Sequence, residues 1–250
     1  MKQRMKANFL LTLMLLSVMH TMTACATLTY SAEPIEAWVV DAETNQPLEG
    51  VIVVANWALE STSRIIPHQT NQAGSLMILE TVTDKNGRFY FPAWGPKLHL
   101  GTGELTDSDP ELIFFKSGYK YITVSNSQYT RPAKHSDVGK PSGTESKPTG
   151  SKRISLWSGE TIELHQFNGS LREYEEHLGF LRTSLSFVEY GEDCEWKLVP
   201  RMIVSQHKEN LRFKAAGIIR PLGDRVFNIK DSVKRGQCGQ AEEFFKEYLK

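Results

Sequence analysis

The chain of 250 residues carries 29 Lys and Arg against 29 Asp and Glu, so its formal net charge at pH 7 is zero. The first 24 residues hold three of the basic residues and none of the acidic ones, so their removal would leave a net charge of −3. Proteins that bind nucleic acids usually carry an excess of Lys and Arg, so this balance argues against nucleic acid as the main partner.

The amino terminus has the composition of an export signal. Three basic residues within the first six precede an apolar run at residues 9–19. The run is too short to span a bilayer and has the length of a signal-peptide core. We therefore predict a signal peptide at residues 1–24 and a tether at residues 25–34; a single-pass membrane anchor is the weaker alternative.

The sequence MTAC at residues 22–25 resembles a bacterial lipobox, in which the cysteine becomes the first residue of the mature protein and carries the lipid. Met22 stands where leucine is usual, and Ala24-Cys25-Ala26 also satisfies the small-x-small rule of ordinary signal peptidase, which would release a soluble periplasmic protein. We favour lipidation at Cys25. This would anchor the protein in the bacterial cell envelope, at the periplasmic face of the outer membrane.

The two remaining cysteines, Cys194 and Cys238, form an even pair. Disulfides persist in the oxidising compartments that exported proteins reach, so we predict a disulfide between these residues. Closing a loop of this length would contribute on the order of 3–4 kcal/mol in the chain-entropy model. The alternative is a pair of buried free thiols.

Between residues 35 and 124, short β-prone runs alternate with turn residues, a pattern typical of a β-sandwich. The predicted strands cover residues 35–40, 51–57, 75–83, 88–91, 111–115 and 119–124. In the second run the odd-numbered residues from Val51 to Trp57 are apolar, while Ile52, Val54 and Asn56 occupy the other face. Two largely apolar faces indicate an interior position in a sheet.

Three stretches carry a resemblance to a known family: VVDAETNQPLEGVIVVA, TVTDKNGRFYFP and LIFFKSGYKYITV. Their order and spacing resemble the carboxypeptidase regulatory-like family, which is similar to the transthyretin and prealbumin β-sandwich. The resemblance implies a mainly β fold, with a prealbumin-like antiparallel β-sandwich over residues 35–167 closed by a strand within residues 154–167. The zinc motif of the peptidase is absent, so the resemblance extends to the accessory sandwich alone.

The turns carry much of this likeness. The resemblance implies structural roles for Pro47, Gly50, Asp84, Gly87 and Gly118. The family usually has Gly where this chain has Asn45. Asn tolerates the left-handed backbone better than other non-glycine residues, so we expect that turn to form.

The second half of the sequence departs from the strand pattern. Residues 126–153 are rich in Ser, Pro, Gly, Lys and Thr and have almost no apolar residues, so we predict a disordered insert. Beyond the closing strand the apolar period becomes that of helices, beginning at a capping box formed by Ser170 and Glu173. We predict a helical extension over residues 168–250, which makes the chain α+β overall.

No residues form a recognised catalytic, metal-binding or nucleotide-binding motif. The six histidines beyond residue 24 are not spaced as zinc ligands, and no G-x-S-x-G nucleophile elbow occurs. The acidic loop at residues 106–111 could hold a weak calcium ion, although a solvated loop is the commoner outcome for such a segment. We therefore predict no catalytic residue, metal or cofactor, and expect that the chain is not an enzyme.

The expected function is that of a non-catalytic binding or scaffolding module in an envelope lipoprotein, with an envelope protein or polysaccharide as partner. One alternative is a carbohydrate-binding accessory module in which Trp57, Trp94 and Trp157 form a stacking platform, although core packing is the commoner role of such residues. An enzyme of unrecognised type is the other alternative.

The carboxyl-terminal segment is more basic than the rest of the mature chain. Residues 195–250 carry 12 basic and 7 acidic residues, against 14 and 22 in residues 25–194. Four of the basic residues are predicted to share much of one helical face: Lys197, Arg201, Lys208 and Arg212. We predict that this face is exposed and contacts anionic lipid headgroups or an acidic partner; a solvated face without a partner is the alternative.

Overall fold

The computed structural model describes residues 29–62, 70–128, 152–190, 194–219 and 238–249. The predicted signal peptide, the predicted lipidation site Cys25 and residues 129–151 of the predicted insert lie outside these ranges. Within them, no helix is both long enough and apolar enough to cross a membrane.

The described residues form eleven strands, four α-helices and two short 3-10 helices. The strands are β1 (Thr29–Ala32), β2 (Ile35–Asp41), β3 (Ile52–Thr62), β4 (Thr70–Val82), β5 (Arg88–Phe91), β6 (Trp94–Leu98), β7 (Glu104–Leu105), β8 (Glu111–Phe115), β9 (Ile122–Val124), β10 (Lys152–Arg153) and β11 (Thr161–Leu164). The α-helices are α1 (Leu171–Ser184), α2 (Ser186–Tyr190), α3 (Pro200–Ala215) and α4 (Ala241–Phe245), and the 3-10 helices are Asn126–Gln128 and Glu195–Leu198.

The fold class predicted from the sequence is confirmed, because the protein is mainly β with helices added after the sandwich-like sheets. The largest sheet has the strand order β4-β3-β8-β9, and β7 pairs with the carboxyl-terminal half of β3. Two three-stranded sheets, β10-β1-β6 and β11-β2-β5, pack against one face of the largest sheet, and the helices cover its other face. Most strand pairs are antiparallel, whereas β1–β10 and β2–β11 are parallel.

Strand β3 lies between two hydrophobic cores, in agreement with its alternating pattern. Val53 and Trp57 belong to the core shared with the three-stranded sheets, which also contains Phe89. Ile52 and Val54 belong to the core shared with the helices. Because one strand supplies both cores, the sheets and the helices are packed as consecutive layers around it.

The sequence pattern does not reveal strand β1, which lies in the segment predicted to be a tether. Tyr30 and Ala32 of β1 are buried, and β1 pairs with β6 on one side and β10 on the other. The closing strand predicted within residues 154–167 is limited to Thr161–Leu164, and it pairs in parallel with β2. Both differences arise because strand partners come from distant parts of the chain, which a local pattern does not encode.

Both ends of the segment predicted to be a disordered insert are ordered. Asn126 is buried, and its side-chain amide donates to the carbonyl oxygens of Asp109 and Ile154 at 2.8 and 2.9 Å. Arg153 is 5% exposed and donates to the carbonyl oxygen of Leu105 at 2.9 Å. Polar side chains can be buried when they are hydrogen-bonded, so composition alone sets the boundaries of the insert too widely.

Helix α1 begins at the capping box predicted from the sequence. The Ser170 hydroxyl accepts from the N–H of Glu173 at 3.3 Å, and the Glu173 carboxylate accepts from the N–H of Ser170 at 2.6 Å. The helix ends at Ser184, and after Leu185 the short helix α2 starts at Ser186. The junction between the two helices lies beside the helix-facing side of the largest sheet.

Candidate binding pocket

A cavity of about 310 Å³ lies between the helix-facing side of the largest sheet and the junction of α1 and α2. Its lining residues are Asn56, Ala58, Glu60, Gln72, Glu111, Thr183, Ser184 and Ser186. We refer to this cavity as the acidic pocket. Its volume is at the lower end of the range for small-molecule sites, so it suits a small ligand.

Strand geometry places the polar residues of the acidic pocket on one face of the sheet. Side chains alternate along a strand, so Asn56, Ala58 and Glu60 of β3 project to the same side. Asn56 is directly opposite Glu111 of β8, and Glu60 is directly opposite Gln72 of β4. Opposed residues of antiparallel strands share a face, so the sheet brings two carboxylates and two amides together where the apolar run of β3 ends.

The carboxyl end of helix α1 forms the opposite wall of the acidic pocket. Thr183 and Ser184 are the last residues of α1, and Ser186 is the first residue of α2. The last turn of an α-helix carries a partial negative charge, because several of its carbonyl groups lack partners within the helix. This wall therefore provides hydroxyl groups and a partial negative charge, and Arg182 in the same turn already supplies one positive charge.

Carboxyl groups are concentrated at the acidic pocket. Burial raises the pKa of Glu111 above its usual value. Burial also raises the pKa of the neighbouring Asp109 to about 7, and the Glu60 carboxylate adds to that increase. Among the described residues that line the acidic pocket, two are carboxylates and none is Lys, Arg or His.

Asn56 is the most deeply buried residue of the acidic pocket, at 1% exposure. Its Oδ1 atom has no hydrogen-bond partner within the described part of the chain. Leaving a buried polar atom unpaired costs about 1–3 kcal/mol, and such atoms in native proteins usually have a reason that lies in function or bound solvent. The lining of the acidic pocket therefore includes one buried, unpaired amide oxygen and two carboxylates, all of which are hydrogen-bond acceptors.

The sequence pattern indicates a solvated acidic loop at residues 106–111, and this expectation is wrong at two positions. Glu111 is half-buried at the start of β8. Asp109 is 4% exposed and accepts from the N–H of Ala58 at 3.1 Å.

The described ranges contain no group of three or more His, Cys, Asp or Glu residues placed to hold a metal ion. Of the described residues that line the acidic pocket, only Asn56 is conspicuous in the sequence, because it is a polar residue on an otherwise apolar strand face.

A larger cavity of about 590 Å³ lies between β4 and the segment that follows β6. Its rim includes Leu98 and Leu100, which are 57% and 76% exposed. Its lysine, Lys97, donates to the carbonyl oxygen of Leu76 at 2.5 Å and is therefore engaged within the protein. We assign no ligand to this cavity.

The turn residues that carry the family resemblance lie in tight turns. The Asp84 carboxylate accepts from the N–H groups of Asn86 and Arg88 at 2.9 and 3.0 Å. Gly87 has a φ of 71°, and a Cβ atom at this position would lie 2.3 Å from the carbonyl oxygen of Val39. Only glycine avoids that contact, so the role of Gly87 is steric.

The other turn residues also have conformations that suit their residue types. Pro47 forms an isolated bridge beside β2, and Gly50 has a φ of 75°. Gly118 has a φ of 82°, and its N–H donates to the Tyr174 hydroxyl of α1 at 2.9 Å. Asn45 has a φ of 57°, as expected for an Asn in the place of Gly.

The predicted disulfide is confirmed, since Cys194 and Cys238 are bonded with 5.7 Å between their Cα atoms. The bond joins the residue before the 3-10 helix Glu195–Leu198 to the segment that precedes α4, 44 residues later. Cys238 is 9% exposed and belongs to the same hydrophobic core as Trp196 and Phe245. The disulfide therefore ties the α4 segment to that core.

The four basic residues predicted to share one helical face do not form a single free patch. Lys197 lies in the 3-10 helix before α3, and Lys208 is exposed on α3. Arg201 and Arg212 each lie within 3.6 Å of a buried carboxylate. Contact of these residues with a membrane or a partner stays a prediction.

The three tryptophans proposed as a stacking platform are turned towards the protein interior. Trp57 and Trp94 are 1% and 9% exposed, and their rings pack edge to face with centres 5.3 Å apart. Trp157 packs against the same core, and its indole N–H donates to the carbonyl oxygen of Ser125 at 2.9 Å. These residues therefore do not form an exposed three-ring surface.

No protein-family model and no curated protein matches the chain. Among solved structures it is similar to 3-chlorocatechol 1,2-dioxygenase from Rhodococcus opacus 1CP, with 18% identity over 55% of this chain and 61% of that chain and a TM-score of 0.28. It is similar to the dioxygenase domain of a dioxygenase carbohydrate-binding protein fusion from Streptomyces sp. SirexAA-E, with 14% identity over 56% and 81% and a TM-score of 0.28. It is also similar to catechol 1,2-dioxygenase from Pseudomonas arvilla C-1, with 12% identity over 57% and 54% and a TM-score of 0.27.

These matches contradict the expectation that the chain is not an enzyme, because all three proteins are dioxygenases by name and each match has a probability of 1.00. The prediction that the chain is not an enzyme is therefore wrong. The matches span 61% of the Rhodococcus protein and 54% of the Pseudomonas protein. At TM-scores of 0.27–0.28 and identities of 12–18% they carry no argument for a dioxygenase activity in this chain.

Proposed function

We propose that this chain is a lipid-anchored binding protein of the bacterial cell envelope, in which a carboxypeptidase regulatory-like sandwich holds a small ligand in the acidic pocket. The observation that carries the proposal is Asn56, a residue 1% exposed with an unpaired amide oxygen, which lines the same cavity as two carboxylate residues. Polar groups that converge on a concave site are typical of ligand binding, whereas polar groups buried for structural reasons are normally paired.

The surrounding fold supports such a role by holding the acidic pocket rigidly. Asn56 and Glu60 lie on β3, which both hydrophobic cores hold in place. Helix α1 is joined to the sheet because the N–H of Tyr121 donates to His177 Nε2 at 3.0 Å. A preformed site loses little conformational entropy when a ligand binds, and this favours affinity for small molecules.

The proposed envelope location depends on the amino-terminal sequence. Acyl chains contribute about 0.8 kcal/mol of membrane affinity per buried CH₂ group, so a cysteine that carries more than one chain would be stably anchored. Strand β1 begins at Thr29, four residues after Cys25. Four residues span at most about 14 Å when extended, so an anchored sandwich would lie beside the membrane surface.

Mass spectrometry of the mature protein from a membrane fraction tests the anchor. We expect an acylated Cys25 at the amino terminus, and loss of membrane association in Cys25→Ser because this variant has no thiol to modify. Met22→Leu, which supplies the usual lipobox residue, is the matched control and should be processed at the same position. An unmodified mature chain that begins at Thr27 would instead show cleavage by ordinary signal peptidase and contradict the anchor.

Amide NMR of the mature protein tests the acidic pocket separately. Cationic, neutral and anionic small molecules are titrated at millimolar concentration while the resonances of Asn56 and Glu111 are followed. We expect at least one class to shift these resonances, and Asn56→Leu, which removes the acceptor and fills space, to abolish the shift. If no class shifts the resonances of the wild-type pocket, the proposed binding role is wrong.

A further inference from the structure

We infer that the acidic pocket selects small organic cations that carry a primary ammonium group. This inference rests on the proposed binding function and narrows its ligand to one chemical class. It is carried by the lining of the acidic pocket, which Glu60 and Glu111 share with Asn56, a buried residue whose Oδ1 is unpaired, beside the carboxyl end of α1.

The charge of the lining favours a cation. Glu60 and Glu111 both line the acidic pocket, and no basic residue is found in the part of the lining that the structure describes. Asp109 lies close enough for the Glu60 carboxylate to raise its pKa, although Arg153 lowers that pKa and so already faces this third carboxyl group. Carboxylates that are removed from water without a partner are costly, and a bound cation would offset that cost.

The hydrogen-bonding groups of the lining favour an ammonium group in particular. An ammonium group offers three donors and no acceptor. Asn56 Oδ1 and the two carboxylates accept hydrogen bonds, and the hydroxyl oxygens of Ser184 and Ser186 can also accept. One ammonium group could thus be shared between the unpaired amide oxygen and a carboxylate, and charge-assisted hydrogen bonds of this kind are stronger than neutral ones.

Other ligand classes fit the acidic pocket less well. An anion would be repelled by Glu60 and Glu111. A sugar commonly stacks on an aromatic ring, and none of the described lining residues is aromatic. A divalent metal ion such as calcium requires about six to eight oxygen ligands at close range, which suits a compact loop better than an open volume of about 310 Å³.

Three probes of similar size and different charge test the inference: n-butylammonium, 1-butanol and butyrate. Each is titrated into the mature protein while the amide resonances of Asn56 and Glu111 are followed. We expect n-butylammonium to bind at least about tenfold more tightly than the other two, because it alone supplies a positive charge to the half-buried Glu60 and Glu111. Glu111→Gln should weaken n-butylammonium binding by a similar factor, whereas Glu163→Gln, at an exposed position of β11, should leave it unchanged.

Each outcome bears on the inference. Equal binding of 1-butanol or butyrate overturns the selectivity for cations but leaves the proposed binding function standing. If none of the three probes binds, and none of the cationic, neutral and anionic molecules of the first titration binds either, the proposed binding function itself is wrong. Calcium chloride is added as a competitor, and displacement of n-butylammonium by calcium at equal concentration would assign the site to a metal and overturn the inference. Glu60→Gln provides a second variant for the same titration if circular dichroism shows that Glu111→Gln does not fold.

Discussion

The Glu80 carboxylate on β4 accepts a hydrogen bond from the N–H of Met202 at 2.8 Å, 122 residues further along the chain. The N–H of Arg201 donates to the same carboxylate at 3.1 Å. Helix α3 follows Val199, whose side chain cannot cap its free N–H groups, so a strand residue supplies the acceptors. This contact joins the largest sheet to the helical layer.

Removal of this acceptor should destabilise the protein. We expect Glu80→Ala to lower the free energy of unfolding by about 1–2 kcal/mol, because two N–H groups at the start of α3 lose their partner. Glu80→Gln should cost less, since its amide oxygen can still accept. Urea unfolding measures the stability of both variants, with Glu163→Ala, at an exposed position of β11, as the control. Equal stability of Glu80→Ala and wild type would show that the cap contributes nothing.

The Asp41 carboxylate links its own turn to two distant segments of the chain by hydrogen bonds. Its carboxylate accepts from the side-chain amide of Gln166 at 3.0 Å, from the N–H of Thr44 at 2.9 Å and from the hydroxyl of Tyr119 at 2.9 Å. The hydrogen bond from Gln166, followed by that from the Thr44 N–H, holds the pKa of Asp41 well below its usual range. The ionised form is therefore favoured in the folded state.

The lowered pKa predicts sensitivity to acid. An unfolded Asp has a pKa of about 3.9, so below that pH the unfolded chain takes up a proton that folded Asp41 resists. The stabilisation is present above about pH 4 and is lost as the pH falls towards the pKa of the folded state. Urea unfolding at a series of acidic pH values should show a shallower loss of stability for Asp41→Asn than for wild type. Tyr119→Phe, which keeps the carboxylate, should retain the acid dependence.

Asp109 and His177 should affect stability in opposite directions between about pH 4 and pH 7. The pKa of Asp109 is raised to about 7, above the unfolded value of about 3.9, so the folded state binds the extra proton and stability falls as the pH rises through this window. Burial lowers the pKa of His177 below its usual value, so its contribution is lost as the pH falls below about 6.5.

Two measurements separate these contributions. The carboxyl carbon of Asp109 should titrate with a midpoint near 7 in a carbon-detected NMR experiment. Asp109→Asn should remove the decline in stability towards neutral pH, while His177→Gln should remove the loss on the acidic side. A midpoint for Asp109 near the ordinary value of about 4 would contradict the first expectation.

Loss of the disulfide should destabilise the helical layer. The bond between Cys194 and Cys238 closes a loop of 44 residues, for which the chain-entropy model gives about 3–4 kcal/mol. We expect Cys194→Ser/Cys238→Ser to lower the free energy of unfolding by about that amount, and reductant to have the same effect on wild type. Cys25→Ser should leave the unfolding curve of the processed domain unchanged. If reductant has no effect on the unfolding curve, the contribution of the bond is negligible.

Local chemistry made several features of this fold predictable. The alternation of β3 indicates two buried faces, and Val53 and Val54 lie in different cores. Glycine at position 87 indicates a turn because glycine adopts a positive φ without strain. The capping box at Ser170, followed by an apolar helical period, indicates the start of a helix. These features need only neighbours within a few residues, so the sequence alone determines them.

The candidate site is different, because its parts are far apart in the chain. Asn56, Glu111 and Ser184 come together only after β3 has paired with β8 and α1 has packed on the sheet. The same holds for Glu80, which becomes a helix cap only when α3 packs beside β4. Except for Asn56, which interrupts an apolar strand face, each of these side chains has an ordinary local context. Long-range pairing decides which of them are removed from water together, so only the tertiary structure determines the pocket and its charge.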